Sequence, residues 1–141
     1  MTSSKPRRVL VVANRTAATP TLLEEVKRCA QEQPTEFSLL IPDSPKGEHT
    51  DWTLELALPL LERAARGKVE GLTGEEEPFE AVSRVVGDSH FDLIIISTLP
   101  KRVSKWLRRD LPQRVAGLGV PVKVITPEHE RMRDELAPGV R

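Results

Sequence analysis

A chain of 141 residues is long enough for one domain with a proper core, and its 21 Lys+Arg balance its 21 Asp+Glu to a formal net charge of zero. That balance excludes a global attraction to nucleic acid or to an anionic membrane, and no apolar run approaches the roughly 20 residues of a membrane-spanning helix. Cys29 is the only cysteine, so an intrachain disulfide is excluded and a cytoplasmic protein is the expectation.

Residues 1–7 read as an N-terminal tail. Arg7-Arg8 before Val9-Leu10-Val11-Val12-Ala13 superficially resembles a signal start, but Asn14 and Arg15 end the apolar run below the about 7–15 residues of an h-region. Val9 to Ala13 is instead apolar and β-branched, the pattern of a first strand. Thr19 offers a helix cap and Pro20 suits the first helical position. Leu22, Leu23, Val26, Cys29 and Ala30 then recur at helical spacing. Phe37 to Ile41 predicts strand 2, ended by Pro42. Lys46 to Asp51 is polar and loop-like. Leu54, Ala57, Leu58, Leu61, Ala64 and Ala65 line a second helix, which contains Pro59 and which Gly67 is expected to close. Val69 to Leu72 predicts a short third strand. Glu75-Glu76-Glu77 precedes a helix carrying Phe79, Val82, Val85 and Val86, with Gly87 at its end. Leu93 to Ser97 is strand 4, a continuous run without alternation, as for a strand buried on both faces. A basic stretch, a helix from about Leu111 to Ala116, and a strand from Val120 to Ile125 follow. Residues 127–141 form a charged tail.

Alternating strands and helices predict right-handed βαβ units: a single domain over residues 8–126, α/β and Rossmann-like, with five parallel strands in order 3-2-1-4-5 and helices on both faces. The order reverses between strands 1 and 4, so the loops after them, Asn14 to Thr19 and Ser97 to Ser104, face each other where open α/β sheets bind ligands. Scarce amides, with Asn14 the only asparagine, and the frequency of Pro, Arg and Glu suit a thermophile or a high-GC genome.

Several residues together carry a family resemblance. Strand 1 is Val-rich and ends in polar Asn14, strand 4 reads Asp92-Leu93-Ile94, and a helix leads into Gly119-Val120-Pro121-Val122-Lys123-Val124. In this order the chain resembles the universal stress proteins, adenine-nucleotide-binding α/β domains. More narrowly, residues 11–16, 96–100 and 104–108 look like those of a branch of small bacterial homologues. The resemblance implies an adenine nucleotide, ATP in the usual case, as the candidate cofactor. It also implies a homodimer formed through the last strand, here Val122, Lys123, Val124 and Ile125. The candidate ligand-binding set is Ala13, Asn14, Arg15, Thr16, Ile41, Ser97, Thr98, Leu99, Pro100, Arg102, Ser104 and Arg109.

The chain departs from the family's pattern at the phosphates. The family's glycine-rich segment after strand 4, whose backbone approaches the phosphates, is replaced by Ser97 to Leu111, which contains no glycine. Asp110 sits near the helix start, where a carboxylate is expected to cap the amides and repel a phosphate. The family's adenosine-contacting aspartate after strand 1 is matched by Asn14. Lys101, Arg102, Lys105, Arg108 and Arg109 offer side-chain phosphate capture and Trp106 a stacking surface. The same stretch equally reads as a surface helix with Val103, Trp106 and Leu107 inward.

Other chemistries lack their residues. There is no Gly-x-x-x-x-Gly-Lys-(Ser/Thr) and no Gly-x-Gly-x-x-Gly, and Ser97 has no nucleophile elbow around it. His49, His90 and His129 lack metal-ligand spacing and read as surface residues, and Cys29 reads as a small buried hydrophobe. The expectation is a non-catalytic sensing or interaction module without a metal. The alternative is an adenine-nucleotide-dependent transferase or hydrolase using the loop after strand 4.

Overall fold

The computed structural model describes residues 6–13, 17, 19–42, 49–74, 77–98 and 110–126. Among these residues nine elements follow in chain order. They are β1 (Arg7–Val12), α1 (Pro20–Glu32), β2 (Thr35–Ile41), α2 (His49–Ala65), β3 (Val69–Thr73), α3 (Pro78–Asp88), β4 (Leu93–Ser97), α4 (Leu111–Ala116) and β5 (Val122–Ile125). The five strands form one sheet in the order β3-β2-β1-β4-β5, and every neighbouring pair is parallel. This is the architecture the alternating pattern predicts.

The continuous apolar strands have a direct cause: both faces of the sheet are covered. Val9, Val11, Phe37, Leu39, Ile41 and Ile95 pack with α1 and α2 in one core. Leu10, Val12, Leu40, Ile94 and Ile96 pack with α3 and α4 in the other. Ile94, Ile95 and Ile96 are fully buried, each contributing about 1.5–3 kcal/mol of apolar transfer. In register, Val12 lies opposite Ile96 and Leu40, so β1 and β4 end side by side.

The helix starts follow local chemistry. Thr19 Oγ1 accepts the amide of Leu22 at 3.4 Å, and Pro20 opens α1 as expected. Glu77 caps α3 by accepting the amide of Glu80 at 3.2 Å, ahead of Pro78. Helix α2 begins at His49, inside the stretch expected to be loop. Polar residues without an apolar face do not forbid a helix. Pro59 lies within α2, while Ala57 and Leu61 on either side of it stay buried.

Other boundaries also correct the sequence reading, and β1 and β2 each begin two residues earlier than expected, at Arg7 and Thr35. At the end of α2 the left-handed position falls on Arg66, with φ of 61°, instead of Gly67. The amide of Gly67 returns to the carbonyl of Glu62 at 3.2 Å. Gly87 does not end α3, which continues to Asp88 with Ser89 as the C-cap. Strand β5 begins at Val122 instead of Val120, because Pro121 has no amide to give a ladder. Its carbonyl accepts the amide of Ile94 at 2.9 Å. Gly119, with φ of 96°, makes the left-handed turn from α4 into β5 that a side chain would strain.

Candidate functional site

The described part of the site is a floor at the carboxyl ends of β1, β2 and β4. Hydrogen bonding continues past the strand ends. The amide of Ala13 reaches the carbonyl of Leu40 at 3.2 Å, that of Thr98 reaches Ile125 at 2.9 Å, and that of Gly74 reaches Ile41 at 3.1 Å. Ala13, Ile41, Ser97 and Thr98 are thereby held on the rigid sheet, and all four are buried. Ala13 and Ile41 share the core of α1 and α2. Ser97 is opposite Ile125, a member of the same core. The arrangement is apolar with two hydroxyls.

The sequence-derived site divides cleanly. Ala13, Ile41, Ser97 and Thr98 come together on this floor. Asn14, Arg15, Thr16, Leu99, Pro100, Arg102, Ser104 and Arg109 lie outside the described residues, as do Lys101, Lys105, Trp106 and Arg108. Ser97 and Thr98 each make an interaction within the chain, so neither is a spare hydroxyl awaiting a role.

Asp110 corrects an expectation. It takes a left-handed conformation, with φ of 55° and ψ of 37°, and its side chain makes no capping bond to α4. A capping carboxylate needs an extended backbone to swing over the amides. Here Asp110 is exposed, and only its carbonyl joins the helix, accepting the amide of Arg114 at 3.0 Å. Arg114 anchors α4 instead, 3.2 Å from Glu77 and 4.5 Å above the Phe79 ring.

Two polar clusters stand away from this floor. At the amino ends of β1 and β4, Arg8 donates its amide to Asp92 Oδ2 at 2.9 Å. Asp92 returns its own amide to the carbonyl of Arg8 at 2.7 Å. His90 Nε2 lies 2.8 Å from the other Asp92 oxygen. The backbone bond from Arg8, aided by His90, holds Asp92 below the ordinary carboxylate range. An open depression lined by Arg7, Arg8, Gln33, Glu36, His90 and Asp92 lies there.

The second cluster is on α1. Burial alone would raise the Glu25 carboxyl, but hydrogen bonds and charge from Arg28 and Lys123 outweigh it and hold the group low. Lys123 Nζ on β5 is 2.8 Å from Glu25 Oε2. Sequence reading missed this pair because its members are 98 positions apart. Cys29, fully buried beside Glu25, has its thiol pushed up by burial and then by that carboxylate, as fits a packing residue. Among the described residues no group of three or more His, Cys, Asp or Glu is arranged to hold a metal ion. Among them, too, no helix is long and apolar enough to cross a membrane.

No protein-family model matches the chain, and no curated protein matches it. Solved structures do. A universal stress protein in complex with cAMP superposes with a TM-score of 0.62 at 16% identity, covering 88% of this chain and all of that one. The chain has the universal stress protein fold. A universal stress protein from Archaeoglobus fulgidus gives a TM-score of 0.55 at 16% identity, over 86% of this chain and 93% of its own. The dAMP complex from the same organism gives 0.55 at 15% identity, over 88% and 98%. In this universal stress protein fold, the floor of Ala13, Ile41, Ser97 and Thr98 occupies the switch point between β1 and β4.

Proposed function

We propose that the protein is a non-catalytic sensor of small adenine nucleotides that works as a homodimer in the cytoplasm. The observation that carries this reading is the switch-point floor, within a fold shared over most of the chain with proteins solved with cAMP and dAMP. Ala13 and Ile41 offer the adenosine an apolar seat, and Ser97 and Thr98 lie at the end of β4, beside the path toward the phosphate. A monophosphate is favoured over ATP. The segment from Ser97 to Leu111 has no glycine to let the backbone wrap a triphosphate, so Arg102 and Arg109 take the phosphate by side chain. Asn14 meets the base or ribose through its amide. The homodimer forms by edge pairing of β5, through Val122, Lys123, Val124 and Ile125. Val124 is 39% exposed there, and an apolar edge left unpaired invites association.

Mass spectrometry of nucleotide carried through purification, followed by calorimetric titration of cAMP, AMP, ADP and ATP, tests the reading. The expected result is micromolar binding of a monophosphate, weaker binding of ATP, and loss of binding in Arg102→Ala and Arg109→Ala. No binding of any of the four up to millimolar concentration contradicts it, and hydrolysis or group transfer during the titration favours an enzyme instead.

A further inference from the structure

We propose that Glu25 is the residue that makes the β5 edge compatible with a second copy of the chain, by neutralising Lys123 from within its own protomer. This rests on the β5 pairing proposed above. Among the described residues β5 has one neighbour, β4, and its other edge is open. Lys123 lies opposite Ile95, while Val122 packs toward the core of α3 and α4. Lys123 therefore stands on the face covered by α1 and α2, with Val122 and Val124 on the other.

Symmetry then restricts the geometry. In an antiparallel pair about a two-fold axis, residues directly opposite share a face, so partners must be of equal parity along the strand. The two registers of greatest overlap each pair three of the four residues of β5. One places the two copies of Lys123 directly opposite. The other centres on Val124 and leaves them diagonal. Like charges at such positions oppose pairing, and a lysine on an edge strand is a common guard against it. Lys123 alone would thus keep copies apart.

Glu25 alters that balance. Its side chain is only 11% exposed, and its carboxylate lies 2.8 Å from Lys123 Nζ. Arg28 pairs with Glu25 as well, and Arg28 in turn with Glu32. Each Lys123 therefore arrives at the interface already compensated by its own α1. Self-pairing then sets two compensated lysines together instead of two bare ones.

Sedimentation equilibrium of the wild type, Glu25→Gln, Lys123→Gln and the double variant tests the assignment. The expected dimer dissociation constant is roughly three- to tenfold weaker in Glu25→Gln, and at least as tight as wild type in Lys123→Gln. The double variant is expected to match Lys123→Gln, because the bare lysine is then gone. A Glu25→Gln dimer as tight as wild type overturns the proposal. So does a double variant as weak as Glu25→Gln, which would mean that Glu25 acts through the stability of α1. A wild type that stays monomeric, or a dimer indifferent to Val124→Asp, overturns the β5 reading itself and this proposal with it.

Discussion

The two ends of the β1–β4 pair are built from opposite materials. At the carboxyl ends the described floor is Ala13, Ile41, Ser97 and Thr98, buried and without a formal charge. At the amino ends Arg8, Glu36, His90 and Asp92 are charged or titratable and largely satisfy one another. Arg8 also lies 4.9 Å over the Phe91 ring. A cluster whose members already pair gives a ligand little to gain, and its exposed ion pairs contribute little stability each. A buried, rigid, small-residue floor at a switch point has the opposite character. The amino end is polar and paired within itself, and the carboxyl end is the one the proposed ligand would meet.

Substitutions break this comparison in graded steps. The largest effect belongs to the strand that both ends share. Ile96→Ala should cost about 2–5 kcal/mol of unfolding free energy in urea, since Ile96 is fully buried between β1 and the helices of the second core. It should weaken the two ends alike. Ala13→Leu separates them. Overpacking a fully buried alanine costs about 1–3 kcal/mol. Calorimetry should show nucleotide binding lost while the variant still melts cooperatively.

The amino end is probed through Asp92. Its carboxyl is depressed in the folded state by the Arg8 amide and by His90. The stability it contributes is therefore fully present above the unfolded-state value of about 3.9 and lost as pH falls through the depressed folded value. Asp92→Asn should lower the melting temperature modestly at neutral pH, flatten the acid limb of the stability profile, and leave nucleotide affinity unchanged. Altered affinity would join the two ends that the structure separates.

The smallest expected effects concern two non-glycine residues that, among the described residues, have left-handed backbones, one near each end. Arg66 at φ of 61° precedes β3, and Asp110 at φ of 55° precedes α4. Arg66→Gly should stabilise by up to about 1 kcal/mol. Asp110→Gly should gain less, because Asp tolerates this region better. Thermal melts of the two variants side by side test the order.

The same pair shows what the sequence made legible. Ile94-Ile95-Ile96 announces a doubly covered strand because burial on both faces leaves no polar alternation to blur the signal. From strand order alone, Ser97 and Thr98 follow as residues at the end of β4, beside the switch point. Asp110 and Arg66 were not legible, since a capping residue type does not specify backbone φ, and the left-handed position fell one residue before Gly67. The Glu25–Lys123 pair was hidden for another reason: nothing local links a helix of the first βαβ unit to the last strand. Helix α2 starts at His49, within a polar stretch that resembles a loop, because helix formation requires no apolar face in its first turn.

The most direct test of the contrast between the two ends is an amide chemical-shift titration of isotope-labelled protein with AMP and cAMP. Saturable shifts at Ala13, Ile41, Ser97 and Thr98, with Arg8, His90 and Asp92 unmoved, are the predicted result. Shifts centred on Arg8, His90 and Asp92, or none at millimolar nucleotide, would contradict a binding floor at the carboxyl ends of β1 and β4.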